Sequence, residues 1–315
     1  MEFTAAAVAT DDEVEFEFPP LFRTYRSGRV ERFGGTDKVS PSLDPATGVD
    51  SKDVIIDPST GVFARLYLPP ATAPGGKLPI LFYIHGGGFC IESCASPLYH
   101  RHHNALSSLT PLLSVSIDYR LAPEHRLPAA YDDSFTALRW VFSQTDPWLA
   151  QHGDFSRVFV AGDSAGANIA HHVALRAAAE GLAIKGLALI HPFFWGSVPV
   201  GSEPTEPDFR APHDRFWKYI FPETEGMDDH RRNPVADGAP SLADLKCEQV
   251  LVTVAEKDVL RDRGTLYYKK LNESGWNGEA ELFESQEVSH VFHLFHPETE
   301  LGKAKINMLV DFFRK

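Results

Sequence analysis

Short apolar runs alternate along this chain with longer stretches whose apolar residues recur at helical spacing. The runs at 78–84, 112–117, 158–161, 187–190 and 250–255 are short and rich in Val, Ile and Leu, as strands buried on both faces would be. The stretches at 132–142, with a Ser134/Leu138 face, at 165–180 and at 303–314 fit helices, the last of them amphipathic and closing the chain. Upstream, 54–56 and 62–67 flank Asp57-Pro58-Ser59-Thr60-Gly61, a strand–turn–strand pattern that predicts an antiparallel hairpin. Strand and helix alternating from Leu78 onward predict an α/β chain with a mostly parallel sheet and helices on both faces.

Two regions break the alternation. Phe16, Phe18, Leu21 and Phe22 flank Pro19-Pro20 and are placed to pack over a pocket mouth. Residues 196–240 are rich in Pro, Gly, Glu and Asp around an aromatic island, Phe216-Trp217 and Tyr219-Ile220-Phe221. They read as an insertion near the C-terminal edge of the sheet. Residues 1–13 are small and acidic, the composition of a disordered tail.

Bulk composition narrows the function classes. The 315 residues fit one large α/β domain or one with a modest cap, and 43% hydrophobic content supplies a core. A formal net charge of −13 disfavours nucleic acid and anionic membranes as partners. Cys90, Cys94 and Cys247 are odd in number, which implies no disulfide framework and fits a reducing compartment. The first 17 residues lack the apolar centre of a secretory signal, and no run reaches membrane-spanning length. Cytoplasmic residence, with the nucleus also open to it, is therefore expected. Asn272-Glu273-Ser274 is a formal glycosylation sequon that carries no weight without secretion.

The chemistry is concentrated at the ends of the predicted strands. After the run at 158–161 comes Gly162-Asp163-Ser164-Ala165-Gly166, leading straight into a predicted helix. This is the G-x-S-x-G pattern of a nucleophile on a tight strand-to-helix turn, which makes Ser164 the candidate nucleophile. After the run at 78–84 comes His85-Gly86-Gly87-Gly88-Phe89. Successive glycines leave backbone N–H groups bare, and fixed donors aimed at a developing oxyanion are commonly the largest catalytic contribution. Gly87, Gly88 and Ala165 are the expected N–H donors, with Gly86 shaping the loop. Asp258 follows the run at 250–255, and His290 lies late in the chain. Ser164, Asp258 and His290 occur in that order, with gaps of 94 and 32 residues that leave room for intervening strands and helices. A serine hydroxyl needs a neighbouring base, which His290 would supply and Asp258 would orient. Such a mechanism calls for no metal and no organic cofactor.

These motifs resemble those of the plant carboxylesterases, in the hormone-sensitive-lipase-like branch of the α/β hydrolases. The resemblance rests on the five residues 85–89, Asp118-Tyr119-Arg120-Leu121-Ala122-Pro123-Glu124, residues 162–170, His191-Pro192-Phe193-Phe194-Trp195-Gly196, residues 257–262 and His290-Val291-Phe292-His293. It spans about residues 14–315. The order Ser, Asp, His is that of the α/β hydrolases. The resemblance implies an α/β-hydrolase fold, a small cap built from about 14–45 and 196–240, and hydrolysis of a small, fairly apolar ester through an acyl-enzyme. Relatives of these carboxylesterases include hydroxyisoflavanone dehydratases, tuliposide-converting enzymes and gibberellin receptors. Elimination or intramolecular acyl transfer on the same scaffold is thus the alternative. The receptors lack the triad histidine that this chain keeps as His290. The expected partner is a small-molecule ester, and the expected state a monomer or weak homodimer.

Neighbouring residues have blander expectations. Phe89, Phe193, Trp195 and Phe292 are expected to line the substrate pocket. Asp262 rivals Asp258 but is expected to cap the next helix, with Arg261 and Arg263 as surface charges. His293 is expected to be a structural hydrogen-bond partner, His296 a surface residue, and His85 a brace for the glycine loop. Asp163 and Asn168 should support the turn around Ser164. His171 and His172 lie too far along their helix to reach Ser164. His100, His102 and His103 match no common zinc pattern and suit a solvated helix face. Cys90 and Cys94 are expected in the pocket wall.

Overall fold

The alternation of apolar runs sets the architecture. In a computed structural model that describes residues 13–70 and 76–315, every predicted run forms a strand. A small antiparallel sheet comes first: β1 (Val14–Phe18), β2 (Phe22–Tyr25) and β3 (Val30–Arg32). The hairpin β4 (Asp50–Asp57) and β5 (Val62–Leu68) opens the main sheet. The remaining strands are β6 (Leu78–Ile84), β7 (Leu113–Asp118), β8 (Gly153–Asp163), β9 (Gly186–Ile190), β10 (Gln249–Ala255) and β11 (Glu279–Ser285). The eight strands lie in the order β11-β10-β9-β8-β6-β7-β5-β4. From β7 to β11 all pairings are parallel, and β5 pairs antiparallel with both β4 and β7. The short, weakly apolar edge strand β11 had no signature in the sequence pattern. The expected disordered tail lies outside the described residues, apart from Glu13.

Eight helices accompany the strands among the described residues: α1 (Pro97–Leu109), α2 (Ala129–Ser143), α3 (Pro147–His152), α4 (Ala165–Ala179), α5 (Pro207–Ile220), α6 (Arg261–Glu273), α7 (Phe292–Phe295) and α8 (Glu300–Arg314). Side chains alternate across a strand, so β6 feeds both faces of the sheet. Ile80, Phe82 and Ile84 join the core that contains α2, α4 and α6, whereas Leu81 and Tyr83 join the core under α1 and α8. Helices therefore cover both faces. The aromatic island forms α5, which packs against the small sheet: Phe16 stacks on Tyr219 at 4.0 Å and Phe18 on Phe216 at 4.3 Å.

The histidines of α1 correct one expectation. His102 and His103 are buried, not solvated. The helix turns them inward, where His103 Nδ1 lies 2.9 Å from Ser114 Oγ and the His102 ring meets Tyr83 and His293. Burial lowers the pKa of His102 to about 3. Arg263 is buried too, because Glu203, itself buried, pairs with it at 2.5 Å. Asp262 does not cap α6. It lies in the helix's first turn and is bound by Arg261 and by Ser202 Oγ at 2.8 Å.

Candidate active site

Ser164 sits between β8 and α4 with φ +54 and ψ −119, a conformation that L residues rarely adopt. The flanking glycines permit the turn: a Cβ on Gly166 would stand 2.0 Å from the Ile84 carbonyl oxygen, and one on Gly162 would stand 2.4 Å from the Gly166 backbone. The Ser164 N–H donates to Ile190 O, and its carbonyl accepts from Phe193 and Asn168 N–H. The elbow is thereby held to β9 and α4. Asn168 adds a further tie, accepting from Tyr131 Oη and donating to the Phe193 and Arg231 carbonyls. Asp163 is buried and accepts from Tyr83 Oη at 2.9 Å, from Tyr99 Oη and from Gly86 N–H at 3.2 Å. Burial raises its pKa to about 6 despite these donors.

The glycine loop follows β6. Gly87 has φ +96 and Gly88 φ +58, and a Cβ on Gly87 would meet the Ile91 carbonyl oxygen at 2.2 Å. The Gly86 N–H is taken by Tyr99 Oη at 2.8 Å. Among the described residues, the N–H groups of Gly87, Gly88 and Ala165 have no hydrogen-bond acceptor. The loop is braced from below. His85 Nδ1 lies 2.8 Å from Gly86 O, and Tyr119 stacks on the His85 ring and donates to its carbonyl. Arg120 forms several bonds to Asp133, and Glu124 pairs with Arg32 at 2.7 Å. The stretch 118–124 thus supports the loop.

Asp258 and His290 are brought together from the loops after β10 and β11. His290 Nδ1 lies 2.6 Å from Asp258 Oδ2, and the Asp258 side chain is nearly fully buried while His290 is one-third exposed. A carboxylate only accepts, so Nδ1 carries the proton and Nε2 is left with the lone pair that a base requires. Asp258 Oδ1 also accepts from Leu260 N–H. His191 adds a third potential ligand atom, since single donor atoms of His191, Asp258 and His290 lie within 4.8 Å of one another. The set does not suit a cation. His191 Nδ1 already accepts the Val291 N–H, and the proton on His290 Nδ1 is directed at Asp258.

Ser164, Asp258, His290, Gly87 and Gly88 line one cavity of about 470 Å³. Its walls are mostly apolar, with Phe18 and Leu21 from the N-terminal arm and Phe216 from α5. Phe193 and Trp195 line it, whereas Phe89 and Phe292 do not. Phe89 continues the positive-φ turn at φ +64, which sends its ring into the core against Phe193 and Trp217. Phe292 follows the left-handed Val291 and packs against His191, while Val291, Leu294 and Phe295 face the cavity. Cys90 and Cys94 are fully buried outside the lining, and burial pushes both thiols up. His293 is buried with neither ring nitrogen bonded among the described residues, so it is no hydrogen-bond partner. His296 is exposed, and His171 instead meets Tyr267 Oη at 2.9 Å. A larger groove of about 580 Å³ between α2 and α4 holds none of the triad residues.

Residues 81–294 match the α/β hydrolase fold family. The chain is 47% identical to a 2-hydroxyisoflavanone dehydratase of Glycyrrhiza echinata, over 98% of this chain and 99% of that protein. It is 44% identical to probable carboxylesterase 2 of Arabidopsis thaliana, over 98% of each. Among solved structures, an esterase of Pyrobaculum calidifontis superposes with a TM-score of 0.70 at 30% identity, covering 84% of each chain. No described helix is long and apolar enough to cross a membrane.

Proposed function

Because this chain belongs to the α/β hydrolase fold family, we propose that it is a serine carboxylesterase acting on small, fairly apolar esters. The observation that carries this reading is the Asp258–His290 contact at 2.6 Å, in a cavity shared with Ser164 and lined by bare backbone N–H groups. In this mechanism His290 Nε2 takes the Ser164 proton as Oγ attacks the ester carbonyl. Asp258 holds the ring tautomer and stabilises the imidazolium. The N–H groups of Gly87, Gly88 and Ala165 bind the oxyanion, while Gly86, its own N–H already bonded to Tyr99, shapes the loop. His290 then returns the proton to the leaving alcohol, and water attacks the acyl-enzyme by the reverse sequence. The chemistry draws on no metal or organic cofactor.

The test is hydrolysis of p-nitrophenyl esters from acetate to octanoate by the wild type and by Ser164→Ala. Turnover in the wild type that collapses in the variant supports the reading, and the chain-length profile sizes the acyl pocket. A folded but inert wild type overturns it.

The 47% identity to a dehydratase favours a second reading, in which His290 abstracts a proton for elimination and Ser164 forms no acyl-enzyme. Elimination that survives Ser164→Ala would select that reading. We assign the protein to the cytoplasm, with the nucleus also open to it. Its three buried cysteines are unbridged, as suits a reducing compartment.

A further inference from the structure

Besides Asp258, two acids line the cavity: Asp163, whose carboxylate is bonded by Tyr83, Tyr99 and Gly86 N–H, and Glu92. Glu92 lines both the catalytic cavity and an adjoining groove of about 310 Å³, as do Leu98 and Phe295. It therefore stands where the apolar cavity meets the outer groove. Its backbone has φ +73, and its N–H donates to Gly35 O at 3.0 Å. Gly35 makes room for the carboxylate: a Cβ there would stand 2.8 Å from Glu92 Oε1. The half-buried carboxylate is thus seated by a strained backbone and by a glycine. Among the described residues its carboxylate has neither a hydrogen-bond nor an ion-pair partner; no Lys or Arg lines the catalytic cavity, and Arg101, which lines the outer groove, donates to Leu294 O.

A carboxylate kept at the rim of an apolar cavity without a donor is costly unless something arriving there supplies one. Sites built to bond a substrate hydroxyl discriminate strongly against analogues that lack it, because the protein group is then left unpaired. We propose that Glu92 is a specificity-determining residue that accepts a hydrogen bond from a hydroxyl on the substrate, so that the preferred esters are neutral and carry a hydroxyl beyond the ester group. This rests on the ester-hydrolase reading and assigns the substrate class of the same site.

The test compares kcat/KM for propyl butyrate, glycerol monobutyrate and butyrylcholine in the wild type, Glu92→Leu and Glu92→Gln, with p-nitrophenyl butyrate as a general substrate. The readout is the ratio between substrates within each protein, which cancels differences in the folded fraction. The wild type prefers glycerol monobutyrate to propyl butyrate. Glu92→Leu lowers that ratio about tenfold, and Glu92→Gln, which keeps an acceptor oxygen, lowers it less. A ratio unchanged in both variants, with an active wild type, overturns this inference alone. A wild-type preference for butyrylcholine over glycerol monobutyrate, lost in Glu92→Gln, overturns the hydroxyl assignment in favour of a cation site. A wild type inert on all four esters overturns the hydrolase reading and this inference with it.

Discussion

His191 Nδ1 accepts the N–H of Val291 at 2.9 Å, so a fully buried ring at the end of β9 holds the residue next to His290. Val291 is left-handed at φ +44, a conformation that needs outside support. The same ring lies 3.8 Å from Asp258. In the proposed mechanism His191 is thus a positioning residue for the pair Asp258 and His290. His191→Phe keeps an aromatic ring but removes the acceptor. It should lower kcat by roughly 10- to 100-fold, the scale set by an ångström of misplacement, with a smaller change in KM. Steady-state kinetics on p-nitrophenyl acetate, with circular dichroism as a folding control, measure this. Wild-type kcat in a folded variant would show that the His290 loop holds itself.

Ser164→Ala should lower kcat by at least about 10³-fold, and Asp258→Asn by up to roughly 10⁴-fold through loss of the tautomer that leaves Nε2 free. The double variant should be little worse than the worse single, because the groups act as one unit. Multiplying losses in the double variant would contradict a shared step.

The sheet and the turn around Ser164 were legible because each rests on a local signal. The β6 run has the continuous apolar character of a strand buried on both faces, and Gly162 and Gly166 mark a turn where two backbones nearly touch. The cavity wall was legible only in part, because lining depends on which way a turn throws a side chain. Phe89 follows two positive-φ glycines and enters the core, whereas Phe18, far off in sequence, reaches the cavity by stacking on Phe216. His102 has the composition of a surface helix but faces Tyr83, a contact set by the seating of α1 on the sheet. Glu92 gave no signal, since its role follows from the paired turns at Gly35 and Glu92.

Gly87→Ala would set a methyl against the Ile91 carbonyl oxygen and force φ +96 on an L residue. The loop must move, and the Gly87 and Gly88 donors with it. Loss of one oxyanion donor costs roughly 3–4 kcal/mol of transition-state stabilisation, so kcat should fall about 10²- to 10³-fold. Binding of a transition-state-like trifluoromethyl ketone should weaken in parallel. Activity within a few-fold of wild type would remove this loop from the oxyanion site.

Buried imidazoles should govern stability in mild acid. Burial lowers the pKa of His102 and His171 to about 3, from an ordinary value of 6.5. The fold keeps both neutral while the unfolded chain binds protons, so their stabilisation is complete above pH 6.5 and is lost as pH falls towards 3. At pH 5 each has given up about 2 kcal/mol. Asp163 runs the other way. Its pKa of about 6 lies above the unfolded value of 3.8, so the folded state holds the extra proton and stability rises as pH falls from 6 towards 4. That gain is about 1 kcal/mol between pH 6 and pH 5, less than the loss from two histidines. The urea midpoint should therefore fall between pH 7 and pH 5. His102→Phe, which keeps a ring against Tyr83 and His293, should flatten the fall, and Asp163→Asn should steepen it. A midpoint that holds steady from pH 7 to pH 5, or a slope unchanged by His102→Phe, would show that these rings are protonated inside the fold.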